Sequence, residues 1–140
     1  MPYVEGMTAQ LLRAELEDDA WPDLLVVTEM PDKDVRTYPL VLITNANTSY
    51  EYDGEMARAT VDFHVWSKVS RRQAAALGES VRLVLRAARR AQTRLEDDLG
   101  EVAGHLVGFD VNSSGFLPSG DTDAPWRFQL LASMAVRPNA

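Results

Sequence analysis

Residues 57–68, ARATVDFHVWSK, alternate between apolar and polar side chains almost without interruption. A period of two residues is typical of a β-strand, because successive side chains of a strand point to opposite faces of the sheet. The sequence therefore predicts a strand over 57–67 with a buried face made of Ala57, Ala59, Val61, Phe63 and Val65. Any function of this strand depends on its other face, which carries Arg58, Thr60, Asp62, His64 and Trp66.

The longest predicted helix covers residues 70–94 and is amphipathic. Ser70 is a suitable N-cap, and Gly78 in the interior would allow the helix to approach the sheet closely. Leucine, valine and alanine recur at helical spacing along one side. The other side forms an arginine face, defined by Arg82, Arg86, Arg89 and Arg90. Such a face either meets an acidic partner or nucleic acid, or is a solvated helix surface.

The remaining pattern predicts one further helix and four further strands. The helix covers residues 8–18 with Thr8 as its N-cap. Apolar runs predict strands over 23–29, 39–44, 102–112 and 126–137. The order is then α-β-β-β-α-β-β, with a block of three strands between the two helices and a block of two strands after the second helix. This order predicts one α+β domain with a mainly antiparallel sheet of four or five strands, flanked by two helices.

Two polar segments are predicted as connections. Residues 45–56 contain the turn pair Asp53-Gly54, which indicates a projecting hairpin or a long loop. Residues 113–125 are rich in Gly, Ser, Pro and Asp, and this composition is typical of a loop.

Composition excludes several classes of function. The chain has no cysteine, so disulfides, thiolate metal sites and thiol nucleophiles are excluded. Its net charge of −7 argues against general binding of duplex DNA, which depends on neutralising phosphates. No apolar run approaches the roughly 20 residues that span a bilayer. The N-terminal residues do not resemble a secretory signal, so a cytoplasm-like compartment is expected.

Two pairs of residues are candidates for chemistry. Asp62 and His64 share one face of the predicted strand, and the aspartate could orient the histidine as a general acid or base. Asp121 and Asp123 form an Asp-x-Asp pair, but the later acidic ligand of a calcium loop is absent. Solvated carboxylates are therefore the simpler interpretation. No catalytic residue, metal ligand or cofactor is predicted, and the chain is not expected to be an enzyme.

Taken together, these segments resemble the tail terminator, or tail-completion, proteins of long-tailed bacteriophages, a group that includes minor tail and head–tail connector components. The resemblance covers roughly residues 7–138. It rests on the segments WPDLLVVTEMP, YPLVLIT, VDFHVWSK, SRRQAAALGESVRLVL and RFQLLASMAVRP. The strand VDFHVWSK followed by the alanine-rich helix is its most specific part.

The resemblance implies a homo-oligomeric ring, typically a hexamer, at the head-proximal end of the tail tube in the virion. Such a ring is assembled in the host cytoplasm, ends tube polymerisation and binds the tail tube protein and the head connector. DNA passes through it without specific binding, and no membrane or cofactor is involved. The loops 45–56 and 113–125 are then expected to reach towards the tube or the connector.

The face of the 57–67 strand that carries His64 is expected to be covered by the helices of the domain or by a neighbouring subunit. Aromatic side chains with a polar edge are enriched in such interfaces. The expected interface residues are Tyr50, Tyr52, Asp53, Arg58, Asp62, His64, Trp66, Arg82, Arg86, Arg89, Arg90, Phe116, Asp121 and Asp123.

Other functions stay open at this point. A related head-completion or neck protein of the same fold group would show much the same pattern. A small ligand-binding protein or hydrolase would instead use His64 and Asp62, and would be a monomer or dimer with a defined pocket. A host regulator of similar size has no positive feature in its favour.

Overall fold

The computed structural model describes residues 4–17, 21–51, 56–96 and 102–138. Within these ranges the chain forms two α-helices, one short 3-10 turn at Lys33–Val35 and six β-strands. The elements are α1 (Val4–Leu16), β1 (Leu25–Val27), β2 (Leu40–Glu51), β3 (Met56–Ser67), α2 (Arg71–Ala91), β4 (Arg94–Glu96), β5 (Val102–Leu117) and β6 (Trp126–Pro138).

The six strands form one sheet in the order β1-β2-β3-β6-β5-β4. β1 runs parallel to β2, and all other neighbours are antiparallel. The α+β class and the mainly antiparallel sheet are confirmed, with one strand more than the upper end of the prediction. No helix within the described ranges is long and apolar enough to cross a membrane.

Both helices pack on the same face of the sheet and bury the main core there. The core joins α1, α2 and the apolar face of β3, where Val61, Phe63 and Val65 are fully buried. The alternating face predicted for β3 is therefore confirmed. The strand lies in the middle of the sheet, between β2 and β6, so both of its edges are also hydrogen-bonded.

The start of α2 and its close packing are confirmed. The Ser70 side chain accepts a hydrogen bond from the Gln73 backbone N–H at 3.0 Å. A Cβ atom added to Gly78 would lie 2.5 Å from Cδ1 of Phe128 on β6. Only a residue without a side chain lets the helix and the strand meet at this distance.

Several predicted boundaries are wrong. Thr8 is not an N-cap: it lies inside α1, and its buried hydroxyl donates to the Val4 carbonyl at 2.7 Å. The second helix ends at Ala91, before the predicted residue 94, because Gln92 adopts the left-handed conformation that closes a helix. The chain then enters β4, a short strand that was not predicted.

Part of each predicted connection is strand. β2 continues to Glu51 and pairs with the start of β3 through Tyr50 and Ala57, so the hairpin alternative predicted for 45–56 is confirmed. The turn pair Asp53-Gly54 lies outside the described residues. β5 continues to Leu117 along β6, which leaves residues 118–125 as the connection.

Candidate interaction surfaces

The sheet face opposite the helices, called the open face below, carries the polar side of β3. The helices of the domain do not cover these polar side chains, because α1 and α2 both contribute to the core on the other face. The alternative, coverage by a neighbouring subunit, stays a prediction. One end of the open face is covered by residues 118–125, called the covering loop below. The other end, around Arg58 and Thr60, is not covered by any described element.

Trp66 lies beneath the covering loop. Its side chain is 6% exposed and packs with Leu40 and Ala124 in a small second core. The indole Nε1 donates to the Ser119 carbonyl at 3.1 Å. The ring therefore holds the loop on the sheet, and little of it is left for a partner molecule.

His64 and Asp62 are each bonded to a different residue of β6. Nδ1 of His64 lies 2.9 Å from the Arg127 guanidinium, which only donates, so this nitrogen accepts and the imidazole is neutral. Oδ1 of Asp62 accepts from Nε2 of Gln129 at 2.8 Å. The aspartate does not orient the histidine, and the acid–base pair required by the hydrolase hypothesis is not formed.

Burial of His64 lowers its pKa below the ordinary value of 6.5, and the positive charge of Arg127 lowers it further, against a smaller opposing effect of Asp62. The folded protein therefore disfavours protonation more than the unfolded chain does. His64 contributes stability that is present above about pH 6.5 and is lost as the pH falls towards its folded-state pKa.

We therefore expect the free energy of unfolding to fall between pH 7.5 and pH 5.5, and the fall to be smaller in the His64→Gln variant. Glutamine is neutral and can still accept a hydrogen bond from Arg127. Guanidinium unfolding curves of both proteins at the two pH values measure the difference. An equal fall in both proteins would show that other groups carry the pH dependence.

Asp121 fixes the covering loop to the start of β2. Its Oδ2 atom accepts a short hydrogen bond from the Tyr38 hydroxyl and lies 3.7 Å from the Arg36 guanidinium. Its Oδ1 atom accepts from the Asp123 backbone N–H at 2.9 Å. The side chain is 8% exposed, and the hydrogen bond from Tyr38 is the main cause of its lowered pKa. Asp121 therefore acts within the chain.

Asp121→Asn is expected to destabilise the protein by about 1–3 kcal/mol, the usual cost of weakening a buried hydrogen bond to a charged group. The matched control is Asp123→Asn, since Asp123 is exposed and only its backbone is bonded. We expect the control to change stability by less than about 0.5 kcal/mol. Urea unfolding at pH 7 measures both variants, and equal losses would contradict the role of Asp121.

The lowered pKa of Asp121 also predicts how the stability of the protein depends on pH. Its ionised form is favoured in the folded state, so its contribution is present above its ordinary pKa of 3.8 and is lost as the pH falls through the lower folded-state value. Acid unfolding of Asp121→Asn should therefore be less steep below pH 4 than that of the unmodified chain.

The uncovered end of the open face contains a shallow groove between β3, β6 and β5. It has a volume of about 270 Å³, and Arg58 and Asp110 lie at its sides. Its floor is made of small side chains, including those of Thr60, Ser133 and Ala135. The groove is therefore shallow and polar, with one positive side chain, Arg58, and one negative side chain, Asp110.

The arginine face divides into two parts. Arg82 is paired within α2, with its Nε atom donating to the Glu79 carboxylate at 2.9 Å. Arg86, Arg89 and Arg90 are exposed and overhang β5. With Gly108, Phe109 and Asp110 they line an arginine cleft of about 250 Å³. Three cations and one carboxylate meet there, so the cleft carries a net positive charge in a chain that is acidic as a whole.

The other predicted interface residues lie apart from one another. Phe116 on β5 is 38% exposed and makes an edge contact with Phe128, while the Arg71 guanidinium lies 4.1 Å from its ring centroid. Tyr50 lies in β2 opposite Ala57. Tyr52 and Asp53 lie outside the described residues.

Sequence reasoning missed the residues that organise the open face: Tyr38, Ser119, Arg127 and Gln129. Tyr38, Arg127 and Gln129 lie in segments on which the resemblance rests, but nothing within those segments shows which distant residues they contact. Arg127 and His64 are 63 positions apart, and they meet because β3 and β6 pair with Trp66 opposite Arg127. In the part of the chain that the structure describes, no group of three or more His, Asp or Glu side chains could hold a metal ion.

Comparison with known proteins gives a likeness of fold. No family model matches the sequence, and no curated protein sequence matches it significantly. A chain from the virion of a native gene transfer agent (GTA) particle superposes with a TM-score of 0.63, over 96% of this chain and 94% of that chain. The two chains share one fold. Their sequence identity is 16%, so the likeness to the virion chain extends to architecture alone.

Proposed function

We propose that this chain is a structural subunit of a phage-like virion, which assembles into a ring at the head-proximal end of a tail tube. The observation that carries the proposal is the fold shared with the GTA virion chain over nearly the full length of both chains. The sequence resemblance to tail terminator proteins, which was found independently of the structure, points to the same kind of particle.

In this role the ring ends tube polymerisation and gives the head connector a surface to bind. A structural subunit needs surfaces that are not used inside its own fold. The arginine cleft meets this requirement, because Arg86, Arg89 and Arg90 are exposed on α2. A related neck component of the same fold group would need the same surface, and it differs only in its position in the particle.

The charge of the chain fits a passage for DNA. Six copies, each with a net charge of −7, give a ring with a charge of −42. Such a ring repels phosphate groups on average, so DNA is expected to pass through without being held. A non-enzymatic role is supported by His64 and Asp62, which are bonded to separate residues of β6.

Negative-stain electron microscopy of the purified protein tests the proposal. We expect closed rings with a central opening, alone or after raising the protein concentration. Open filaments would contradict a role in ending polymerisation, because a head-to-tail contact that does not close continues indefinitely. A field of single small particles at all concentrations would contradict ring formation.

A further inference from the structure

Two long stretches of strand edge pair with no other strand of the described chain. β1 pairs only with Leu40–Leu42 of β2, so no described strand pairs with the outer edge of β2 beyond Leu42, and this stretch is called the open edge of β2 below. β4 pairs with β5 as far as His105, and the Leu106 N–H then donates to the Thr93 carbonyl at 3.1 Å. Beyond that point the outer edge of Val107–Leu117 is open.

The short edges of the sheet, in contrast, are protected. The Arg13 guanidinium donates two hydrogen bonds, of 3.1 and 2.8 Å, to the Val26 carbonyl on β1. α1 also packs beside β4. Natural sheets block exposed edges with charges, prolines, bulges or covering elements, because bare edges pair with other chains. The open part of β2, ITNANTSYE, contains no lysine, arginine or proline. Register shifts interrupt both open edges, but Thr48–Glu51 of β2 and Gly108–Val111 of β5 pair regularly with their neighbouring strands outside those shifts.

The open edge of β5 also exposes apolar side chains. Among the described residues, seven large hydrophobic side chains are exposed, and three of them lie on this strand: Val111, Phe116 and Leu117. A strand that leaves both its backbone and its apolar side chains uncovered is suited to a protein partner.

The two open edges are complementary to each other. They lie on opposite sides of the sheet and are similar in length, as Ile43–Glu51 and Val107–Leu117. Three successive antiparallel pairings separate β2 from β5, so the two strands run in opposite directions. Two copies placed side by side in the same orientation therefore bring β5 of one next to β2 of the other as an antiparallel pair.

Charge favours the same arrangement. If the open segments pair centre to centre, the end of β2 at Glu51 lies opposite Gly108–Asp110, beside the arginine cleft. The described part of β2 ends at an acidic residue, Glu51, whereas the arginine cleft carries a net positive charge. The positive cleft of one copy would then lie beside the acidic end of β2 in the neighbouring copy.

We infer that copies of this chain assemble by pairing the open edge of β2 in one copy with the open edge of β5 in the next, antiparallel, under the arginine cleft. The inference rests on the proposed function, since it specifies how the ring subunits bind. The contact is head-to-tail, because the two surfaces differ, and it forms a ring when the rotation between copies closes.

Cysteine cross-linking tests this contact, and the chain has no native cysteine to interfere. Centre-to-centre pairing places Thr48 opposite Val111. Both lie on the helix side of the sheet, opposite Ala59 and Ala132 respectively. We expect a mixture of Thr48→Cys and Val111→Cys proteins to give a cross-linked dimer with bismaleimidoethane, and each protein alone to give none. If the two strands pair in a shifted register, Ser114→Cys takes the place of Val111→Cys as the cross-linking partner of Thr48→Cys.

Cross-links within one copy cannot form, because the chain has no native cysteine and each variant carries only one. Thr48→Cys cross-linking to itself would overturn the inference, because it indicates a two-fold contact between β2 edges. Rings seen by negative-stain electron microscopy, without cross-links in any mixture, would also overturn it, while leaving the proposed function intact. A chain that stays monomeric and uncross-linked at every concentration would contradict both.

Discussion

The double variant Arg86→Glu, Arg90→Glu is expected to remain a folded monomer and to lose assembly. Both side chains are exposed on α2 and line the arginine cleft, so their replacement removes no core contact. The substitutions turn two cations of the cleft into carboxylates and place them beside Asp110. Juxtaposed like charges at an interface cost several kcal/mol, which weakens each subunit contact by more than about tenfold. Light scattering after size exclusion measures the loss.

A control with the same change in net charge distinguishes repulsion at the arginine cleft from the general effect of a more negative protein. Arg72→Glu with Arg137→Glu also changes the net charge from −7 to −11, but both residues are exposed and neither lines the cleft. We expect this control to assemble nearly as the unmodified chain does. Equal loss in both double variants would indicate general repulsion, and unchanged assembly of the cleft variant would remove the arginines from the interface.

Phe63→Ala is expected to cause the largest loss of stability of any single substitution considered. Phe63 is fully buried in the middle of β3, where it faces the helices and lies opposite Ile43 and Leu130 of the neighbouring strands. Truncating a buried phenylalanine costs about 3–5 kcal/mol, through lost burial and the cavity that remains. Since a domain of this size is stable by about 5–15 kcal/mol, the variant is expected to be partly unfolded near its physiological temperature.

Phe116→Ala is the matched control for Phe63→Ala. Phe116 is 38% exposed at the open edge of β5, and its ring contacts are with Phe128 and Arg71. We expect a loss of about 1 kcal/mol or less. Guanidinium unfolding followed by circular dichroism compares the two variants, and similar losses would mean that the core is not centred on β3.

The parts of the fold that sequence reasoning predicted correctly depend on periodicity over many residues. β3 alternates over its length because one face is buried, and α2 begins at Arg71 because the Ser70 hydroxyl caps the helix there. These signals are local, so they can be read without knowing what the element packs against.

The parts that were wrong depend on pairing between distant segments. Residues 113–117 have loop-like composition, yet they are strand because β6 supplies their hydrogen-bonding partners. For 45–51 the composition left a hairpin and a long loop open, and pairing with β3 makes the segment a strand of a hairpin. β4 is three residues long, too short for a period to appear, and it exists because β5 pairs with it. Strand propensity is readily overridden by such context.

The candidate surfaces show the same contrast between features that local spacing predicts and features that depend on distant segments. The arginine face of α2 was visible in the sequence because helical spacing gathers the side chains. The structure divides this face into two parts: Arg82, which pairs with Glu79, and a cleft over β5. This division cannot be predicted without knowing where the helix lies on the sheet. Likewise, Trp66 and Asp121 were expected at an interface, and their contacts with the covering loop and Tyr38 appear only once the sheet is assembled.

The mass of the purified protein in solution tests the central claim most directly. Light scattering after size exclusion, over a range of protein and salt concentrations, distinguishes one 15.6 kDa chain from a closed assembly of such chains. The account predicts a single discrete assembly, six chains in the expected case, or a monomer that converts to that assembly as concentration rises. A strict monomer under all conditions, or a continuous series of ever larger species, would contradict it.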